Sequence, residues 1–159
     1  MASWYKHMTK GMTLIELTLA MAVLMVALGA IMISTSGRNN DYRTVYNAAR
    51  VLQADMRYIQ RRAIMEGREM RMYFDLRANR YVIYAPPDVS NVYRTVYLPD
   101  GVVFLPATTF HGRGMGYRPR GTPTQAGTIT LQKGRYRRRV TVIPAGGRAE
   151  VQPADIVGG

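Results

Sequence analysis

One carboxylate in this sequence stands where a carboxylate is expensive. Glu16 is the only charge in the 22-residue run Met12–Ile33, MTLIELTLAMAVLMVALGAIMI. An acid at the centre of a lipid-facing helix costs ~2.5–3.5 kcal/mol, and less toward its end, so Glu16 needs a partner or a purpose. The second concentration of chemistry is basic. Between Phe110 and Ala149 lie nine cations and no acid, in a chain of net charge +12. In GRYRRRV a strand places Arg135, Arg137 and Arg139 on one face and sends Tyr136 and Val140, with Val142 beyond, to the other. Arg113, Arg118, Arg120 and Arg148 fall in neighbouring predicted loops, with Tyr117 among them. Guanidinium forks suit phosphates, and an interleaved tyrosine can stack on a base. A solvated basic face, or one that docks on acidic protein, accounts for the same residues.

Catalytic chemistry is not written in the chain. Its two histidines are His7 and His111, and it has no cysteine, which removes disulfides, thiolate metal sites and thiol nucleophiles together. No HExxH, GxSxG or phosphate-loop pattern occurs. Asp75, Asp88 and Asp100 fall near predicted turns or strand faces and nothing in their spacing pairs them. His111, in a glycine-rich loop, reads as a surface residue. The late loops hold almost no acids, so neither a metal nor a cofactor is expected, and the chain does not read as an enzyme.

The elements that position these groups follow from hydropathy. At ~1.5 Å per residue the Met12–Ile33 helix is about 33 Å long, enough for a ~30 Å hydrocarbon core. Lys6 and Lys10 hold the short N-terminal side in the cytoplasm and send the bulk of the chain outward. A secretory signal has an apolar region of only ~7–15 residues, and a plain signal anchor leaves Glu16 unexplained. Gly29 marks either a place where the helix loosens or a close helix–helix approach. Beyond Ile33 the helix continues over 34–66, where Tyr42, Val45, Ala49, Leu52, Met56, Ile59 and Ala63 form one apolar stripe. Gly67 is the stop signal. The region 67–152 reads as β. Met70, Met72, Phe74 and Leu76 alternate with polar residues, and Arg80–Ala85, Val92–Leu98, Val102–Leu105, Gly127–Gln132, Arg135–Ile143 and Arg148–Val151 follow as strands. Pro106–Ala126, rich in glycine, proline and threonine, is expected as a long loop, and 153–159 as a frayed tail.

Lys10-Gly11-Met12-Thr13-Leu14-Ile15-Glu16-Leu17 resembles the prepilin cleavage motif of type IV pilin-like proteins: a basic residue, glycine, the cut, three residues, glutamate, then an apolar helix. The resemblance implies that residues 1–11 are a cytoplasmic leader, removed between Gly11 and Met12 by a prepilin peptidase that then N-methylates Met12. It implies that Glu16 of one subunit neutralises the Met12 amine of a neighbour in the filament. Many pilins have phenylalanine where this chain has Met12. RYIQRRAIME over Arg57–Glu66, the MRMYFDL strand, Phe110, GTITL at Gly127–Leu131, RRVTVIP and Gly147-Arg148 resemble the pseudopilin H / FimT family. That family implies an α+β pilin fold, one long helix packed on two small antiparallel sheets. It implies a non-enzymatic minor subunit of a type II secretion pseudopilus or type IV pilus. Its partners would be other pilins, the inner-membrane assembly platform and membrane lipid, with the C-terminal domain exported. Some FimT-like pilins bind DNA through arginines around a C-terminal Gly-Arg-x-Arg. Here Gly147-Arg148-Ala149-Glu150 keeps the first arginine and replaces the second with glutamate. The resemblance thus carries two functions, a filament subunit and a DNA-capturing pilin of a competence system.

Overall fold

A computed structural model of the chain describes residues 13–87, 92–106, 109–153 and 155–156, with backbone alone for 29–39. Lys10, Gly11 and Met12 therefore lie outside the described residues. The chain divides into two compact units, Met1–Asn39 and Asn40–Gly159. One helix, α1 (Leu14–Glu66), contributes to both.

In the first unit the described side chains, 13–28, are all exposed, with Leu14 at 81%, Ile15 at 79% and Val26 at 75%. Among the described residues no helix is long and apolar enough to cross a membrane. The expected 12–33 span runs past the described side chains at both ends.

The second unit begins inside the helix because its core does. Val45, Ala49, Leu52, Met56, Ile59 and Ala63 are fully buried, at steps of three and four. Tyr42, expected on that stripe, is 40% exposed instead, its ring edge-on to Tyr136 of the sheet and its hydroxyl accepting from Arg138. Gly67, at φ +62, takes the left-handed conformation that ends the helix.

Nine strands follow: β1 (Met70–Asp75), β2 (Arg80–Tyr84), β3 (Val92–Tyr97), β4 (Val103–Phe104), β5 (Gly114–Tyr117), β6 (Gly127–Lys133), β7 (Tyr136–Val142), β8 (Ala149–Val151) and β9 (Asp155–Ile156). They make two antiparallel sheets, β3-β2-β1-β5 and β4-β6-β7-β8, with β9 also on β7. Alternation in β1 is as expected, with Met70, Met72 and Phe74 inward. Phe74 joins the sheets: its ring meets Tyr81 of β2, Phe104 of β4 and Phe110 at centroid distances of 6.4, 5.7 and 5.8 Å.

Three expectations change. The stretch expected as a loop from Pro106 to Ala126 contains β5, which closes the first sheet by pairing Met115 with Met72 and Gly116 with Arg71. Its period-two signal is only two residues long, because glycines hold the alternate positions. Gly116 is required there, since a Cβ would sit 2.5 Å from the Met70 carbonyl oxygen. Arg135 leaves the predicted strand, because Gly134-Arg135 form the tight turn between β6 and β7. The tail expected to fray places Asp155–Ile156 against Tyr136 and Arg137 as β9.

Candidate functional site

The N-terminal site begins at a helix cap. The first turn of α1 leaves backbone N–H groups without helical acceptors. Thr13 takes one of them: the Glu16 N–H donates to its carbonyl at 3.0 Å, with its Oγ1 3.4 Å from the same nitrogen, while the Leu17 N–H makes the first helical bond to that carbonyl at 3.1 Å. Thr13-x-x-Glu16 is the spacing of a capping box. A carboxylate in that first turn is favoured by the helix dipole by ~0.3–1 kcal/mol. The sequence reading gave Glu16 a charge role alone and missed Thr13, although the Ser/Thr-x-x-Glu spacing was there to be read. Glu16 opens an apolar strip along one side of the helix, with Ala20, Val23 and Ala27 following. The small alanines leave this side low enough for another helix to approach closely.

The seven arginines proposed as an anion site lie in four segments of the chain. Arg113 ends the 3-10 turn His111–Arg113, beside β5. His111 in that turn is exposed, its backbone N–H donating to Gln125 Oε1 and its carbonyl accepting from Gln125 Nε2, both at 3.1 Å. Together with Arg71, Tyr73 and Tyr84 it borders a polar cleft of about 380 Å³. Arg118 and Arg120 lie in the tight turn after β5, closed by bonds between Arg118 and Thr122 and between Gly121 and Arg118. Arg148 precedes β8.

The structure brings the last two places together. Gln60 of α1 donates to the carbonyls of Gly121 and Gly146 at 2.9 and 3.1 Å, and the Tyr117 hydroxyl donates to the Gly147 carbonyl at 2.8 Å. Gly147 has φ +65, and a Cβ there would stand 2.9 Å from the Gly121 carbonyl oxygen. Arg118, Arg120 and Arg148, all exposed, thus rise from two turns pinned to one glutamine. Burial pushes the Tyr117 phenol up to about 12, so it remains a donor at any physiological pH.

Arg135, Arg137 and Arg139 form a separate group on the second sheet. Arg137 donates to Gln132 at 2.8 Å and Arg139 pairs with Asp155 at 2.5 Å, so two of the three have partners within the chain. The arginine the sequence reading passed over is Arg138. Period two sets it inward with Val140 and Val142, and it is only 7% exposed. Its guanidinium donates to the Tyr42 hydroxyl at 2.7 Å and lies 5.1 Å from the ring centroids of both Tyr42 and Tyr46. That is cation–π packing between β7 and α1.

A second buried charge ties the helix to the first sheet. Asp55, 5% exposed, accepts from the Tyr81 hydroxyl at 2.5 Å and pairs with Arg94 at 2.9 Å. Burial, reinforced by Asp55, pushes the Tyr81 phenol far above its usual range. Among the described residues no group of three His, Asp or Glu side chains could hold a metal ion. The chemistry on offer is docking: charged forks, apolar strips and backbone turns held rigid by buried polar groups.

Comparison with known proteins agrees with this arrangement. The family model described as type II transport protein GspH matches residues 48–146. No curated protein matches the chain in sequence. Among solved structures the fold is similar to the minor pseudopilin EpsH from the type 2 secretion system of Vibrio cholerae, with TM-score 0.55, 13% identity, and 69% of this chain and 96% of that one covered. It is similar also to the type IV minor pilin FimU of Pseudomonas aeruginosa, with TM-score 0.58, 16% identity, and 74% and 92% covered. A second crystal form of FimU gives TM-score 0.55 at 15% identity, with 68% and 92% covered.

Proposed function

The chain belongs to the type II transport protein GspH family, and we propose that it is a minor pseudopilin or pilin, assembled with other pilin-like subunits through its N-terminal helix. The family is one of structural subunits rather than enzymes. The observation that carries the reading is the first unit itself. It is an apolar helix whose side chains over 13–28 are all exposed, opened by a threonine cap and bearing one acid in its first turn. So much exposed apolar surface calls for lipid before assembly and for neighbouring helices after it.

In this reading a prepilin peptidase cuts between Gly11 and Met12 and methylates the new amine. The helix anchors the subunit in the inner membrane, with the Asn40–Gly159 unit exported, and the assembly platform lifts it into a filament. The new positive amine on Met12 sits at a helix N-terminus, where the dipole disfavours it. A neighbour's Glu16 offsets that cost and sets the axial register. The test is Gly11→Ala in cells: the precursor should persist uncut, and a mature-length product from that variant would sink the processing step.

A second reading, DNA capture by a competence pilus, draws support from Arg118, Arg120 and Arg148 rising from adjoining turns. Binding of the full chain to duplex DNA across a salt series tests it, since phosphate contacts give a steep loss of affinity with salt. Binding should fall when Arg118, Arg120 and Arg148 become alanine, and fall less when Arg135, Arg137 and Arg139 do, because Arg137 and Arg139 already have partners. Absence of binding at low salt ends this reading.

A further inference from the structure

We propose that the open edge of β3 takes an extended segment of a different chain as a fifth strand of the first sheet, a segment rich in β-branched or aromatic residues and flanked by acids. A strand at a sheet edge presents unpaired N–H and C=O groups, a template for further pairing that proteins ordinarily blunt. This chain blunts its other edges. At the far side of the same sheet, β5 is covered by the segment that follows it. Tyr117 bridges to Pro123, the Thr124 N–H donates to the Gly116 carbonyl at 2.8 Å, and Gln125 donates to the Gly114 carbonyl. The second sheet ends in β4 and β8, which are only two and three residues long. Strand β3, with six residues, is the exception, and among the described residues no strand lies beyond it.

The register shows which groups are on offer. The Leu98 N–H donates to the Asn79 carbonyl at 2.8 Å, in line with a ladder that sets Val96 opposite Tyr81 and Arg94 opposite Ile83. Backbone bonding alternates along an antiparallel pair. Arg94, Val96 and Leu98 therefore spend their backbone groups on β2, and Thr95 and Tyr97 turn theirs to the open side. Both are exposed, Tyr97 at 65%. The irregular register between Ile83 and Tyr84 falls at the other end of β3, so Arg94–Tyr97 runs straight. The strand has no proline or lysine. Its one charge, Arg94, is turned to Asp55 of the helix at 2.9 Å and is neutralised there. Its remaining residues, Val92, Tyr93, Thr95, Val96 and Tyr97, are the β-branched and aromatic types that favour extended backbone.

The backbone decides the class of occupant. Donor and acceptor sets at every second residue, about 6.8 Å apart, are matched by another extended peptide. A helix has spent its peptide groups internally, and a phosphate chain offers no donors. Side chains narrow the choice. Val92 and Tyr97 are exposed beside this edge, so β-branched and aromatic residues on an added strand gain cross-strand contacts. The chain carries a net charge of +12, which favours acidic flanks over basic ones. A second copy would bring that charge against itself, and pairing centred on Thr95 would set the irregular end of each β3 against the straight end of the other. The occupant is therefore a different chain. The inference does not depend on how the N-terminal helix is used.

The test uses the full chain in detergent micelles and a synthetic peptide of about six residues, the usual length of a strand, alternating valine, threonine and tyrosine between terminal glutamates. N-methylation at alternate residues leaves the peptide one hydrogen-bonding edge and stops it pairing with itself; full N-methylation leaves it none. The first form should slow amide exchange at Thr95 and Tyr97 by about tenfold or more, with little change at Val96, which is already bonded to β2. The second form should leave all three unchanged. Thr95→Pro removes a donor from the open side alone and should weaken binding by about tenfold or more, whereas Thr95→Val keeps the N–H and should bind as before. Lysine in place of the glutamates should weaken binding at low salt. The proposal is overturned if exchange at Thr95 and Tyr97 is the same with and without millimolar peptide, or if the fully methylated peptide binds equally well. It is overturned also if the lysine peptide binds as tightly as the glutamate one, or if the chain alone protects these two amides as its concentration rises, the mark of self-pairing. Should Thr95→Pro fail to fold, the exchange comparison on the unaltered chain decides.

Discussion

The Tyr81 hydroxyl offers the cleanest test of how the helix is fastened to the first sheet. The Tyr81→Phe substitution keeps the ring in a slot that is 1% exposed, beside Phe74, so apolar packing is unchanged. What goes is one hydrogen bond, 2.5 Å long, to a buried carboxylate. A hydrogen bond to a charged group contributes ~1.5–3 kcal/mol. Asp55 keeps Arg94 at 2.9 Å, so its charge is not orphaned, and the upper end of that range does not apply. The expected loss is about 2 kcal/mol, read as a fall in the unfolding midpoint of roughly 6–10 °C. Asp55→Ala should cost about 2–4 kcal/mol, because it strands the Tyr81 hydroxyl in the core and opens a small cavity, while half-exposed Arg94 regains water. In the Asp55→Ala background, Tyr81→Phe should then be neutral or stabilising. Urea unfolding of the full chain in detergent, followed by near-ultraviolet circular dichroism, gives all four corners of this cycle. Equal losses from Tyr81→Phe with and without Asp55 would refute the bond and leave the join purely apolar.

Three further outcomes follow from the same geometry. Tyr81 and Tyr117 have phenols raised in the folded state, so the stability they contribute is intact below the ordinary tyrosine range near pH ~10 and is lost as pH climbs beyond it; tyrosinate absorbance should show a component titrating above that range, which Tyr117→Phe reduces together with the alkaline loss. Gly116→Ala should cost roughly 2–4 kcal/mol and expose the β1–β5 pairing, because the new Cβ meets the Met70 carbonyl at 2.5 Å; unchanged amide protection at Met115 would count against β5 as drawn. Thr13→Ala removes the Oγ1 cap on the Glu16 N–H and should weaken the start of α1 by ~0.5–2 kcal/mol, visible as faster exchange of the Glu16 amide, while cleavage at Gly11 proceeds.

What could be read from the sequence followed the regularity of each element. The helix stripe from Val45 to Ala63 and the alternation of β1 were legible because each repeats a period several times over one buried face. Strand β5 was not, since its outward positions are glycines forced by close backbone approach, and glycine carries no hydropathy signal. Strand β9 is two residues long, too short for any period. Arg138 was legible and passed over: period two sets it on the inner face with Val140 and Val142, between arginines that face outward. The grouping of Arg118 and Arg120 with Arg148 could not have been read at all. It depends on Gln60, 61 positions before Gly121 and 86 before Gly146, and on nothing local to either turn.

Polar ties from one helix fix where the strands and turns of this basic domain sit. Gln53, 6% exposed, donates to the Ala149 carbonyl at 2.8 Å, just as Gln60 donates to Gly121 and Gly146. Both glutamines and Asp55 point from one helix into strands and turns that apolar packing alone would leave free to slide. A hydrophobic contact tolerates small displacements, whereas a buried donor misplaced by an ångström leaves a group unsatisfied at ~1–3 kcal/mol. The side of α1 facing the sheets thus spends its polar residues on fixing position. The opposite side keeps Arg43, Arg50, Arg57 and Arg61 out of every ion pair among the described residues. One helix therefore carries two surfaces with different chemistry: an inner one whose polar groups are bonded to the sheets and turns, and an outer one whose four arginines make no ion pair among the described residues.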